Sequence, residues 1–400
     1  MGLTVDADVL IAGAGPAGAV AARVLAQAGF KVILCDKSTF PRDKACGDGL
    51  IPDALAALRH IGLEADVRAA ACDSGQLTVL SPSGIAVRFA APLQVVPRRT
   101  LDHILFNGAL AAGAEFRHVA VDAPIVEGDR VVGLTAMGAN GHRDPVELRA
   151  PLTVLATGGA GAVLGKFDPS ARVSPSGIAV RTYARRRAAA DTKDLFIALE
   201  RDLLPGYAWA FPTRAGLWNI GVGVLSDRSY SSSKVNLRER LDRLIAGEGV
   251  LGARLGPMEA AEPYRGAPLR TGLEGSSLGR PGLAIVGEAG GTTYAVSGEG
   301  IGKAMESSLL MAEIAGASRA ALPGVGPAFA QAMRQRHQAR FRAYSLAQRW
   351  VSYPRLADYI ARRANESPWV HDRLTGVINE RELPSRVFSL RAVWRLLTHR

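Results

Sequence analysis

The sequence predicts an α/β protein in which a Rossmann-type dinucleotide-binding domain is split by an inserted antiparallel β-sheet domain and followed by a helical C-terminal region. Three observations predict it. The chain opens with a short apolar strand that runs into Gly13-x-Gly15-x-x-Gly18 and an alanine-rich helix. From about residue 176 to 270 it changes to short segments of antiparallel-strand type. A late apolar strand, Leu283 to Gly287, then enters another glycine-rich turn and a helix, a return to the opening style. On these grounds residues 1–60, 92–175 and 275–325 form the nucleotide-binding domain, 61–91 and 176–274 the inserted substrate domain, and 326–400 the basic helical C-terminal region.

Each element has a local reason. In the fingerprint the first glycine permits the tight strand-to-helix turn, the second lets backbone approach a pyrophosphate, and the third lets helix and strand pack closely. The helix N–H groups left without partners then face the phosphates. An acid about 20 residues further on is needed for ribose hydroxyls, and the strand over 31–36 delivers Asp36 at its carboxyl end, with Lys37 beside it. A polar loop over 40–49 leads into a helix over 52–60. Ser81-Pro-Ser-Gly84 is a turn signal inside a hairpin over 75–90. Leu101, Ile104, Leu105 and Ala109 keep a helical period over 99–112, which Gly113 closes. Strands follow over 114–121, 130–137 and 152–156. In the inserted domain 178–183, 195–200, 207–211 and 218–224 read as antiparallel strands, interrupted by one helix over 234–246. Tyr207, Trp209 and Phe211 alternate along their strand and so share a face. A helix over 300–315 follows the late strand.

Composition narrows the classes. Four hundred residues with 48% hydrophobic content build real cores, which excludes a disordered chain. No apolar run approaches the roughly 18 residues of a membrane span, and no basic leader precedes the first apolar stretch, so a cytoplasmic protein is expected. Three scattered cysteines make neither a disulfide framework nor a zinc site, and the seven histidines show no HExxH spacing, so no metal is expected. The net charge of +11 is concentrated late: residues 330–400 hold fourteen arginines, no lysine and five acids. The arginines alternate with Phe341, Tyr344, Trp350, Tyr353 and Tyr359 at helical spacing. No nucleic-acid module accompanies them, which argues against nucleic acid as a partner. The pattern fits packed helices with a charged face, or adhesion to the anionic inner surface of a membrane.

The loop Phe40-Pro-Arg-Asp-Lys-Ala-Cys-Gly-Asp-Gly-Leu50 resembles the FPRxKxCGxG loop of the geranylgeranyl reductase family, flavoproteins of the p-hydroxybenzoate hydroxylase fold. Three further segments agree in order: Arg98-Arg-Thr-Leu-Asp102, Leu204-Pro-Gly-Tyr-Ala-Trp-Ala-Phe-Pro212, and Gly287-Glu-Ala-Gly-Gly-Thr-Thr-Tyr-Ala-Val-Ser-Gly-Glu-Gly-Ile301. The resemblance implies a resident FAD, with its pyrophosphate on Gly13, Gly15, Ala17 and Gly18 and its ribose at Asp36 and Lys37. Arg42 and Lys44 offer charge-assisted bonds to phosphate, Gly47 and Gly49 let the loop pass over a planar ring, and Arg98 matches an arginine on the pyrophosphate. Glu288 stands where related flavoproteins place an aspartate on the ribityl chain, one methylene longer. Gly298, Gly300 and Ile301 would bring backbone amides near the ring, where the helix dipole favours negative charge on a reduced flavin. Cys46 takes the family's cysteine position beside the isoalloxazine and is the candidate catalytic residue. Tyr207, Trp209 and Phe211 match a motif that lines a channel for long isoprenoid chains.

The resemblance therefore implies reduction of carbon–carbon double bonds in an isoprenoid substrate, geranylgeranyl-type or prenyl-quinone, by hydride from reduced flavin. The alternative is a flavin-dependent monooxygenase that hydroxylates an aromatic or polyketide-like substrate on the same fold. Halogenation is disfavoured, because flavin halogenases carry WxWxIP where this chain has Tyr207-Ala-Trp-Ala-Phe-Pro212, and no lysine occurs between Lys44 and Lys166. Only one complete GxGxxG is present, so NAD(P)H bound transiently, ferredoxin and quinol all stay open as electron donors. Cys46, Tyr207 and solvent stay open as proton donors.

Overall fold

In the computed structural model, which describes residues 5–139, 145–187, 192–225, 235–273 and 275–387, strand Val9–Ala12 is fully buried. Its sequence is apolar throughout because both of its faces are covered. Val9 and Ile11 join a core with helices Pro16–Gln27, Ile301–Ala317 and Val325–Val351. Leu10 and Ala12 face the other way, into a core with strands Arg130–Gly138 and Pro145–Arg149 and helix Gly161–Phe167. The chain turns from this strand into helix Pro16–Gln27 through Gly13, whose φ is +104°. A Cβ on Gly18 would stand 1.7 Å from the Gly13 carbonyl oxygen, so only glycine lets the helix rest on the turn.

Among the described residues the first sheet has eight strands, in the order Gly279–Arg280, Leu283–Ile285, Leu152–Leu155, Val9–Ala12, Val32–Asp36, Glu115–Glu127, Arg130–Gly138 and Pro145–Arg149. The strands Leu283–Ile285 through Glu115–Glu127 run parallel to one another. The second sheet runs Met258–Ala260, Gly177–Arg186, Trp218–Leu225, Tyr207–Pro212, Leu195–Ala198, Cys72–Leu80, Ala86–Val95 and Gly49–Leu50, with Arg265–Leu269 on Gly177–Arg186. It is antiparallel apart from the Leu195–Ala198 pairing with Cys72–Leu80.

The expected elements recur, with differences in several places. The hairpin around Ser81 is longer, Cys72–Leu80 with Ala86–Val95. A helix Glu64–Ala70 precedes it, with Val67 packed among Leu58, Leu101 and Leu105. Where one helix was expected, two occur, Leu237–Ile245 and Gly249–Leu255; residue 234 lies outside the described residues. The second escapes a propensity reading because it is glycine-rich, and the buried Glu200 carboxylate accepts the Leu251 N–H at 3.1 Å to hold its first turn. Strands Pro145–Arg149, Met258–Ala260 and Arg265–Leu269 lack a clear alternation; the first pairs with the preceding strand Arg130–Gly138, and the other two pair with Gly177–Arg186, distant in sequence.

The C-terminal region is helical, in helices Val325–Val351, Pro354–Glu366 and Pro368–Ile378, and it is built into the body of the protein. Phe329 and Met333 join the first core. Side chains of the last two helices cap the edge of strand Ala86–Val95: Asn365 Nδ2 donates to the Ala86 carbonyl at 2.9 Å and Asn379 Nδ2 to the Ala90 carbonyl at 3.1 Å, while His371 Nε2 lies 2.8 Å from the Arg88 carbonyl. Covering an edge in this way blocks its pairing with another chain. Arg391, Arg395 and Arg400 lie outside the described residues. No helix among the described residues is long and apolar enough to cross a membrane.

Phe329 is 0% exposed in the first core. Phe329→Ala should therefore lower unfolding free energy by about 3–5 kcal/mol in denaturant titration; a loss near zero would mean that the C-terminal helices do not belong to the folding unit.

Candidate active site

The loop 40–49 is anchored at its start by aromatic packing. The Phe40 ring stacks on Phe106 at 4.5 Å, and the Arg42 guanidinium lies 4.9 Å over Phe40. Arg42 then meets Asp102 at 3.1 Å. Asp102 is 0% exposed and one turn of helix below Arg98, and its two oxygens accept from Arg98 Nε at 2.6 Å and Nη2 at 2.7 Å. Burial works against the Arg98 charge, but Asp102 more than offsets it and raises the guanidinium pKa. Two guanidinium groups are thus fixed beside the head of helix Pro16–Gln27. A Cβ on Gly15, the N-cap residue, would lie 3.5 Å from Arg42 Nη2 and 4.0 Å from Arg98 Nη2. No side chain caps that helix, so its first N–H groups face the same space as the two cations.

Asp36 ends strand Val32–Asp36 and receives the Ala14 N–H at 2.7 Å on one oxygen and the Ser38 N–H at 2.9 Å on the other. A carboxylate has about four lone-pair sites, so ribose hydroxyls can still be accepted there. Lys44 Nζ, midway along the loop, lies 3.7 Å from the Glu288 carboxylate. Phe211 Cε2 stands 3.3 Å from the Cβ position of Gly47 and Trp209 Nε1 3.4 Å from it. The Tyr207 hydroxyl donates to the Ser297 carbonyl and stands 2.8 Å from the Cβ position of Gly298.

One cavity of about 370 Å³ gathers these residues. Gly13, Gly15, Ala17, Asp36, Lys37, Arg42, Lys44, Cys46, Gly47, Gly49, Arg98, Glu288, Gly298, Gly300 and Ile301 line it, together with Tyr207, Trp209 and Phe211. Gly18 does not line it; its place is the helix–strand contact described above. The dinucleotide end is cationic, and the end beneath the aromatic strand is aliphatic, walled by Leu77, Leu93, Leu195, Ile197 and Ile378.

Sequence reasoning missed several residues that line this cavity or hold its lining in place. Asp102 had a usable signal, since it falls four residues after Arg98 on a predicted helix. Asp48, Tyr183 and Asn219 had none: they meet only because strands Gly177–Arg186 and Trp218–Leu225 pair beside the loop. Burial raises the Asp48 carboxyl pKa to about 6, against the lowering effect of bonds from Tyr183 and Asn219. Glu299 also lines the cavity, and burial, reinforced by Asp53 and Glu380, holds its carboxyl well above the usual range. Burial likewise pushes up the Cys46 thiol and the Tyr207 hydroxyl. Ile378 comes from the C-terminal region, for which no part in the site was expected.

A glycine-turned helix start, an uncapped N-terminus beside two cations and a ribose-side acid fit the adenine dinucleotide half of FAD, and the sequence matches the FAD binding domain family over residues 6–176. The molecule is an FAD-dependent oxidoreductase. It is 32% identical over 333 residues to a menaquinone reductase of Mycolicibacterium smegmatis, covering 77% of this chain and 76% of that protein. It is 28% identical over 321 residues to digeranylgeranylglycerophospholipid reductase 1 of Methanopyrus kandleri, covering 77% of this chain and 80% of that protein. The chain belongs to the geranylgeranyl reductase family of flavoproteins. Its fold matches a geranylgeranyl bacteriochlorophyll reductase-like protein of Thermoplasma acidophilum with a TM-score of 0.75 and 20% identity, covering 98% of this chain and 96% of that one. A flavin-dependent brominase reaches the same TM-score, so shape alone does not select the reaction.

The second and third fingerprint glycines separate binding from folding. Gly15→Ala has room in the protein by itself, so it should fold with a near-normal melting temperature yet lose bound flavin absorbance. Gly18→Ala drives a methyl into the Gly13 carbonyl and should cost about 1–3 kcal/mol in thermal unfolding of the flavin-free protein. Equal flavin content in Gly15→Ala and wild type would remove the pyrophosphate from this turn.

Proposed function

We propose that this chain reduces carbon–carbon double bonds in the isoprenoid chain of a lipid or quinone. The observation that carries the reading is the aliphatic lobe beneath Tyr207, Trp209 and Phe211, which lies beside the flavin-side loop and has the polarity for a prenyl chain. The relatives' names, a menaquinone reductase and a digeranylgeranylglycerophospholipid reductase, point to the same substrate class. FAD, once bound and reduced, supplies a hydride to one carbon of the double bond.

The residues of the chain supply the rest. Arg98, Arg42 and the open helix N–H groups hold the pyrophosphate, Asp36 the ribose, and Glu288 with Lys44 the ribityl side. The aromatic strand orients the alkene and excludes water, which matters more here than an array of charged catalysts. Cys46 lies on the loop beside the ring site and keeps its proton, and in this reading it is the catalytic residue that protonates the second carbon. Tyr207 is tied to the Ser297 carbonyl and serves to position the wall.

A peripheral contact with an anionic membrane surface completes the reading. Arg342, Arg349, Arg355 and Arg362 are exposed along the last helices, and Tyr353 among them is 66% exposed. Such a surface would deliver a membrane-borne substrate to the protein.

Anaerobically reduced protein incubated with geranylgeranyl lipids should yield products heavier by pairs of hydrogen atoms, read by mass spectrometry. Turnover only with oxygen, to a hydroxylated product, would overturn the reductase assignment. Cys46→Ala should lower kcat on the order of 100-fold with flavin content retained; unchanged kcat would remove Cys46 from the chemistry. In flotation assays the protein should rise with anionic vesicles at low salt and not with zwitterionic ones, and equal recovery with both would exclude the electrostatic contact.

A further inference from the structure

The loop runs into strand Gly49–Leu50 at one end of the second sheet, the aromatic strand lies four strands away in that sheet, and one buried carboxylate joins them. Asp48 is 0% exposed, sits between Gly47 and Gly49, and holds the left-handed region at φ 65°. Aspartate tolerates that conformation better than most residues. Its Oδ1 accepts the Arg98 N–H at 3.2 Å, and its Oδ2 accepts from Asn219 Nδ2 at 2.6 Å and from the Tyr183 hydroxyl. Asn219 Nδ2 also donates to the Cys46 carbonyl at 2.8 Å, and Asn219 Oδ1 accepts from Trp209 Nε1 at 2.9 Å. An amide has two donor hydrogens and one oxygen, and all are used here. Only one orientation of the Asn219 amide satisfies Asp48, Cys46 and Trp209 together. The indole has little freedom otherwise, since its ring carbon comes within 2.3 Å of the Cβ position of Gly221.

We propose that Asp48 is a positioning residue: through Asn219 it sets the indole of Trp209 against the Cys46–Gly49 loop, so that the flavin side and the substrate side of the cavity keep one spacing. The groups that face Asp48 are Arg181 and Tyr183 from strand Gly177–Arg186, Asn219 from strand Trp218–Leu225, Arg98 from its helix, and Cys46 within the loop. With its carboxyl raised by burial to about 6, Asp48 is charged above that pH and neutral below it. Protonation replaces charge-assisted bonds from Asn219 and Tyr183 with neutral ones, which are roughly half as strong. The spacing is therefore held more firmly above that pH than below it.

The test uses FAD-loaded, 15N-labelled protein, with the Trp209 indole resonance assigned by its absence in Trp209→Phe. In wild type that resonance should shift with pH around a midpoint near 6. In Asp48→Asn it should stop titrating and move, because the amide of residue 48 now opposes that of Asn219. The exchange Asp48→Asn with Asn219→Asp restores donor against acceptor and should bring the resonance back toward its wild-type position. Asn219→Ala leaves the carboxylate and cuts the connection, so it guards against a misfolded Asp48→Asn and should abolish the titration. A Trp209 resonance that still titrates in Asn219→Ala, or one unmoved in Asp48→Asn, overturns the proposal. The turnover effect rests on the reductase reading: kcat with a prenyl substrate should fall on the order of 10-fold to 100-fold in Asp48→Asn at unchanged flavin content, and recover in part in the exchange variant. If the indole behaves as expected while no variant and no wild type reduces a prenyl chain, the connection stands and the reductase reading fails.

Discussion

Two guanidinium groups sharing one fully buried carboxylate set the geometry on which the cofactor end depends. Asp102 has no exposure and would be costly to keep charged without partners; Arg98 and Arg42 supply them. The triad fixes the first turn of the helix that begins at Arg98, the start of the 40–49 loop, and the positive side of the space above Gly15. Because Arg42 and Arg98 come from different segments, the carboxylate also determines how the loop lies across the first domain. In the proposed site a phosphate would meet cations already oriented and helix N–H groups already open, so little reorganisation would accompany binding.

The same loop serves the other half of the cavity. Its later residues, Cys46 to Gly49, press against Phe211 and Trp209 of the second sheet, and the polar network around Asp48 adds directional contacts to a largely apolar wall. Apolar packing supplies affinity for a chain but little register. Hydrogen bonds in a low-dielectric interior supply register, because each misalignment leaves a buried polar group unsatisfied. This division suits a site that must accept a flexible apolar substrate and still present one double bond to the ring.

The C-terminal helices belong to that wall as well as to the surface. Ile378 reaches the aliphatic lobe, while Asn365, His371 and Asn379 close the edge of strand Ala86–Val95 with hydrogen bonds to alternate carbonyls. Arg342, Arg349, Arg355 and Arg362 on them face outward. One segment thus closes the sheet, finishes the pocket and carries the positive face, which explains why charge and aromatic residues alternate along it.

What the sequence determined by itself was local. The turn at Gly13 to Gly18, the acid at Asp36, the helix over 52–60 and the shared face of Tyr207, Trp209 and Phe211 follow from backbone conformation and from periods of 3.6 and 2, which act over a few residues. The family resemblance of the 40–50 loop and of the later motifs added the cofactor. Tertiary structure alone decided which of these meet. Asp48 has two neighbours, Tyr183 and Asn219, from the pairing of strands Gly177–Arg186 and Trp218–Leu225, and another from the helix at Arg98. Strands such as Arg265–Leu269 and the short glycine-rich helix at Gly249–Leu255 exist because distant partners satisfy their backbone, against weak local preference. The placement of Ile378 and the raised carboxyl of Glu299 depend likewise on burial, a property of the assembled chain that no single segment carries.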